Sequence, residues 1–264
     1  MYDFTYHRAG SLDAAKAAFQ AADDGAYMAG GMTLLPTLKQ RLARPSDVID
    51  LAGVGDLTGV ARDGDALVIK AMTTHAAVAA SDVVTGAIPA LAALAGRIGD
   101  PHVRNRGTIA GAIANADPAA DHPAAVLGLN ASVVTDRREI GSDDFFTGLF
   151  ETALEVGELI TAVRFPIPDA ACYMKFANPA SRYAIVGVMV ARTGSGVRVA
   201  VTGAGPNVSR VAAMEQALTD DFSAAALDGI GIDSADLNAD IHAGADYRAH
   251  LIGVMARRAV AGCG

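Results

Sequence analysis

A strand-like run, Ala26-Tyr27-Met28-Ala29, stops at a glycine pair, Gly30-Gly31, and Met32 and Thr33 then open a stretch with helical periodicity over 32–42. This junction constrains the chain more than any other. Glycines enter backbone conformations closed to other residues and can aim successive N–H groups at one point, while a helix start adds unpaired N–H groups and the positive end of its dipole. Two readings follow: a cradle for a pyrophosphate, or a tight turn with Thr33 as its N-cap. The pattern is not a P-loop, because no GxxxxGK[ST] occurs, and Gly53-Val54-Gly55-Asp56-Leu57-Thr58-Gly59 has the wrong third spacing for GxGxxG.

Around the junction the chain alternates as an α/β unit does. Asp3 to His7 reads as a strand, Ser11 as the N-cap of a helix whose apolar face is Leu12, Ala15, Ala18 and Phe19, and Val48 to Leu51 as a further strand. A second segment carries strands at Ala66 to Ala71, Ala131 to Thr135 and Leu159 to Phe165, with helices after Pro89 and over Pro123 to Leu129. A third reads as a meander, Tyr173 to Phe176, Ile185 to Ala191 and Val197 to Thr202. Helices follow at Met214 to Leu218 and Asp246 to Ala261, the latter with Tyr247, Leu251, Val254 and Met255 as its buried stripe.

Within the second segment, Thr108 to Asp121 is too rich in Gly and Ala for an ordinary strand and too irregular for a clear helix. Small side chains bring the backbone close to whatever lies against it, and Asn115 and Asp121 add an amide and a carboxylate that suit ribityl or ribose hydroxyls. A closely packed small-residue core is the other reading.

Composition removes several classes. At 52% hydrophobic and 19% charged the chain folds as a globule, and a net charge of -8 without an isolated Lys/Arg cluster argues against nucleic acid. No basic region precedes an apolar one at the N-terminus, which implies a cytoplasmic protein. Cys172 and Cys263 are far apart with no Cys or His at ligand spacing, so no iron–sulfur or zinc site is expected, and the six His form no HxH or HxxxH pair. Arg104 and Arg106 read as solvated loop residues, and His75 and His102 as structural or surface ones.

Taken together, the two small-residue segments match more than their local readings. Ala29-Gly30-Gly31-Met32-Thr33-Leu34-Leu35-Pro36 resembles an AGGxSLxP motif, and Thr108-Ile109-Ala110-Gly111-Ala112 through Asp117-Pro118-Ala119-Ala120-Asp121 resembles TIGGN…DPxxD. Both belong to the FAD-binding subunits of molybdenum hydroxylases, the xanthine dehydrogenase family, and the pattern is most like the medium subunits of its aerobic carbon monoxide dehydrogenase branch. Ala71 to Thr74, Glu158 to Val163, Asp246 to Arg248 and Gly253 to Ala259 extend the resemblance along the chain.

The resemblance implies an α+β architecture: a vanillyl-alcohol-oxidase or PCMH-like FAD-binding domain over residues 1–167, in subdomains of about 1–55 and 56–167, and a C-terminal α/β domain over 168–264. It implies FAD in this chain, contacted by Ala29, Gly30, Gly31, Met32 and Thr33 at the pyrophosphate and by Thr108, Ile109, Ala110, Gly111, Ala112, Asn115 and Asp121 elsewhere. Leu159, Lys175 and Tyr183 fall near the isoalloxazine or adenine. No residue is assigned a catalytic or metal-binding role. The implied partners are a small subunit with [2Fe–2S] clusters and a large subunit with the molybdenum cofactor, in a dimer of heterotrimers that is cytoplasmic or peripheral to the inner face of the membrane. Ala110 replaces the motif's first Gly and Ala112 its Asn, so one close approach gains a methyl and one amide is lost. That departure leaves open a scaffold subunit with weak FAD binding, and a stand-alone flavin oxidase is a third reading.

Overall fold

Ser11 starts the helix Leu12–Ala21 by accepting a hydrogen bond from the Ala14 amide at 3.1 Å, the capping bond its position implies. The computed structural model describes residues 1–263; Gly264, the last residue of the expected C-terminal domain, lies outside the described residues. Strands Thr5–Arg8 and Gly25–Met28 pair in parallel with Asp47–Asp50, which lies between them. Helices supply the crossovers that parallel neighbours need. The helix read over 32–42 is shorter, Leu34–Lys39, and Thr33 makes no capping bond to it.

Five antiparallel strands form the second sheet, with Ile160–Pro166 central between Ala66–Lys70 and Ser132–Thr135, and Val60–Asp63 and Glu139–Gly141 at the edges. Short helices fill the chain from His75 to Gly128. One of them, Ile109–Asn115, occupies the small-residue stretch that resisted assignment. Thr108 Oγ1 accepts from the Gly111 amide at 3.1 Å to start it, and Ala116 ends it in the left-handed region at φ 45°. Arg104 and Arg106 likewise belong to a helix, Pro101–Arg106, rather than a loop, and Arg104 donates to the Ile98 and Gly99 carbonyls.

The third sheet is an antiparallel meander of Ala170–Ala177, Ala184–Thr193, Gly196–Thr202 and Ser209–Arg210. It is covered on both faces. Val186, Val188 and Val190 pack toward the helices Ala212–Asp220 and Ala245–Ala261, whereas Met189 and Ala191 join the core that includes the helix His122–Gly128. Double burial explains why Ala184 to Ala191 reads as an unbroken apolar run instead of alternating. On the last helix the buried stripe is Leu251, Ile252, Met255, Ala256 and Ala259; Tyr247, expected in it, is 46% exposed. Its place is taken by Arg248, whose guanidinium donates to the Ile185 and Gly203 carbonyls and to Asp240. No helix among the described residues is long and apolar enough to cross a membrane.

Gly187 leaves the space that the Tyr173 ring fills. A Cβ there would lie 2.2 Å from Tyr173 Oη. Gly187→Ala is therefore expected to cost about 1–3 kcal/mol through overpacking. Urea unfolding checks this, with a lower midpoint and an unchanged slope as the expected result.

Candidate functional site

The two small-residue segments meet backbone to backbone. A Cβ on Gly30 would fall 1.9 Å from the Arg106 carbonyl oxygen and 3.0 Å from Gly107 Cα, so no other residue fits at position 30 without moving the chain. Gly31 sits at φ +72°, where glycine alone is unstrained. Leu35 donates to the Gly31 carbonyl at 3.1 Å, leaving the amides before it outside the helical ladder. Across the junction, a Cβ on Gly111 would approach Ala29 Cβ to 3.3 Å. The second segment is itself held to residues 71–75: His75 N donates to Gly107 O, Ile109 N to Thr73 O, and Ala110 N to Ala71 O.

Between these segments opens a cavity of about 500 Å³. Its wall contains Ala29, Gly30, Gly31, Met32 and Thr33 from the first segment and Thr108, Ala110, Gly111, Ala112, Asn115 and Asp121 from the second, joined by Leu159 and Tyr183. Ile109 and Lys175 are not in the wall. Ile109 points into the core, because it opens a helix whose Ala110 and Gly111 face the cavity, and it is fully buried. Lys175 is neither a surface residue nor a wall residue; its side chain is 2% exposed and lies behind Asp121.

Asp121 ties the cavity to the third sheet. Tyr173 Oη donates to its Oδ1 at 2.5 Å and Lys175 Nζ to its Oδ2 at 2.9 Å, and Lys175 also donates to the Arg97 carbonyl at 3.0 Å. Burial pushes the Asp121 carboxyl upward, opposed by the charge of Lys175 and the hydrogen bond from Tyr173. The turn before it docks on the same sheet. Gly203 N donates to Pro118 O at 2.7 Å, Ala184 N to Ala119 O at 3.2 Å, and Thr202 Oγ1 lies 2.7 Å from Ala120 O. Tyr183 stands at the rim, 46% exposed, beside Ser181 and Arg182 of the same loop.

Among the wall residues not legible as site residues, three stand out: His75, His122 and Glu158. His75 and His122 both line the cavity, with His122 Nε2 3.1 Å from His75 Nδ1. Their separation in sequence hides the pair, and no spacing rule finds it. Desolvation lowers the His75 pKa to about 4 and that of His122 well below the usual histidine range, where the proximity of His75 adds to the effect. Both rings are therefore neutral near pH 7. No group of three or more His, Cys, Asp or Glu side chains that could hold a metal ion occurs among the described residues. Glu158, the third, is held ionised with a pKa near 2 by hydrogen bonds from Arg138, the Glu155 amide and Thr135. His102, by contrast, is exposed.

Residues 2–168 match the family described as FAD binding domain in molybdopterin dehydrogenase. The chain is 34% identical to the carbon monoxide dehydrogenase medium chain of Afipia carboxidovorans, over 97% of this chain and 95% of that one. It is 37% identical to the nicotine 6-hydroxylase medium subunit of Paenarthrobacter nicotinovorans, over 92% and 90% respectively. Among solved structures, carbon monoxide dehydrogenase from Hydrogenophaga pseudoflava, in a form lacking the Mo-pyranopterin moiety of its molybdenum cofactor, superposes with a TM-score of 0.89 at 33% identity, covering 99% of this chain and 97% of that chain.

The buried histidines set an acid limit. Their folded pKa values lie below the unfolded value of about 6.5, so the unfolded chain binds more protons as pH falls, and stability that is complete above roughly pH 6.5 is lost on the way to pH 4. His75 alone is expected to remove about 2 kcal/mol by roughly pH 5. Denaturation midpoints measured across this interval should fall, and the double variant His75→Leu/His122→Leu should flatten the slope.

Proposed function

Because the chain belongs to the family of FAD-binding domains of molybdopterin dehydrogenases, we propose that it is the electron relay of a molybdenum hydroxylase, taking electrons from one partner subunit and releasing them to an external acceptor. It is an FAD-binding medium subunit in an oxidoreductase family whose members include carbon monoxide and xanthine dehydrogenases. The electrons come from [2Fe–2S] clusters in a small subunit, after substrate oxidation at the molybdenum cofactor of a large one. Two such heterotrimers form the assembly. Bound FAD supplies the ability to accept electrons singly and to release them singly or in pairs.

The residues fit that cofactor. A cavity of about 500 Å³ lies within the range of small-molecule sites, and its wall is mostly small and apolar with a few polar groups. The amides from Gly30 to Thr33 suit the pyrophosphate. Thr108, Ala110, Gly111, Ala112 and Asn115 border the remainder, with Leu159 and Tyr183 beside a ring. Ile109 holds the second segment from within the core. Lys175 positions Asp121 rather than touching the cofactor. On this reading residues 1–167 bind FAD in two subdomains and 168–264 close the site.

The observation that carries the proposal is the convergence of two small-residue segments, distant in sequence, on one cavity. The scaffold reading rests on Ala110 and Ala112, yet a cavity of about 500 Å³ is present with both methyls in its wall.

FAD titration of the purified chain, alone and with its partner subunits, tests the reading through visible flavin absorbance. Equimolar uptake is expected; no uptake in either setting overturns it. Gly30→Ala should weaken FAD binding at least tenfold, about 1.4 kcal/mol, by prising the segments apart. Gly10→Ala, where a Cβ meets nothing within 4 Å, should leave it unchanged.

A further inference from the structure

Cys172 and Cys263, the two cysteines of the chain, come together in the fold. Cys172 lies on the strand Ala170–Ala177 at the edge of the third sheet. The helix Ala245–Ala261 packs on that sheet and ends at Gly262, whose amide still donates to the Arg258 carbonyl at 3.0 Å. A Cβ on Gly262 would lie 3.2 Å from Cys172 Sγ, which places the end of the helix directly on the thiol. Cys263 N donates to Val260 O at 3.2 Å, continuing the turn, so the residue next to the Gly262 contact carries the second thiol, and each thiol is the neighbour that most affects the other.

Both cysteines are half-buried, so a small oxidant reaches them while the chain stays folded. The positive charge of Arg97 faces Cys172 and that of Arg192 faces Cys263. The neighbouring Cys263 thiol, helped by the Tyr173 backbone and Arg97, outweighs burial and brings the Cys172 thiol down to about 7, whereas Cys263 is pushed up. One member of the pair is thus a ready nucleophile and the other a neighbouring thiol able to resolve it.

We propose that Cys172 and Cys263 are a reversible dithiol–disulfide site, oxidised by hydrogen peroxide, that fastens the end of the last helix to the edge of the third sheet. The Cys172 thiolate attacks one peroxide oxygen, the O–O bond breaks, and a sulfenic acid and one water form after proton transfer. Cys263 sulfur then attacks the sulfenic sulfur, the S–O bond breaks, and a second water leaves. In sum, two thiols and one peroxide give one disulfide and two waters, the two thiols being oxidised by two electrons and the peroxide reduced by two.

The site is tested on the full chain, reduced, freed of reductant and exposed to stoichiometric hydrogen peroxide. Both thiols are expected to disappear together, the intact mass to fall by about 2 Da, and peptide mapping to recover a cross-link between Cys172 and Cys263 within one chain that dithiothreitol reverses. Cys263→Ser should convert the mass loss into a gain of oxygen on Cys172. Retention of both thiols at a dose that oxidises free cysteine, oxygen addition without cross-linking in the unsubstituted chain, or disulfides only between chains would each overturn the proposal. Peroxide alone drives the reaction, so the outcome is independent of FAD binding.

Discussion

Gly30 and the Arg106 carbonyl occupy space that a single methyl group would deny them. This contact sets how near the first parallel sheet comes to the helical layer of the second, and so where the cavity between them lies. Residues 107–110 are in turn hydrogen-bonded to 71–75 at the end of a strand of the second sheet, so the far wall has little freedom to retreat. Rigid elements on both sides hold the small residues at the cavity surface. The small size of the residues at the junction is a packing requirement of the fold as much as an accommodation for a ligand.

The third sheet closes the site through Asp121. A buried carboxylate is costly unless donors satisfy it, and here Tyr173 and Lys175 each take one oxygen. Both donors come from one strand, and Gly187 on the adjoining strand leaves room for the tyrosine ring. The same sheet holds the turn 118–120 through hydrogen bonds donated by Gly203, Ala184 and Thr202. Asp121 therefore acts as a latch whose oxygens meet protein donors. The carboxylate that looked suited to a ligand's hydroxyls lies in the cavity wall and also anchors that wall to the sheet.

Much of the architecture was legible because its signals are local. Ser11 caps its helix, the parallel unit follows the alternation of strand and helix, and the meander follows its turn residues. The Gly and Ala motifs pointed to the segments that now share a cavity. Ile109–Asn115 was harder to read because its helix depends on the Thr108 cap and on packing rather than on an amphipathic pattern. Tyr247 looked buried by periodicity, but Arg248 takes the inward position because three acceptors await its guanidinium there. The His75–His122 and Cys172–Cys263 pairs are tertiary contacts between residues distant in sequence, and no local pattern encodes them.

In the proposed FAD site, the close approach of Gly30 to Gly107 makes two segments one wall. Hydrogen exchange of the chain with and without FAD tests it most directly, since amide protection reports both segments at once. FAD is expected to slow exchange together across residues 30–34 and 107–121. Protection confined to one segment, with the other exchanging as in the free chain, would contradict it.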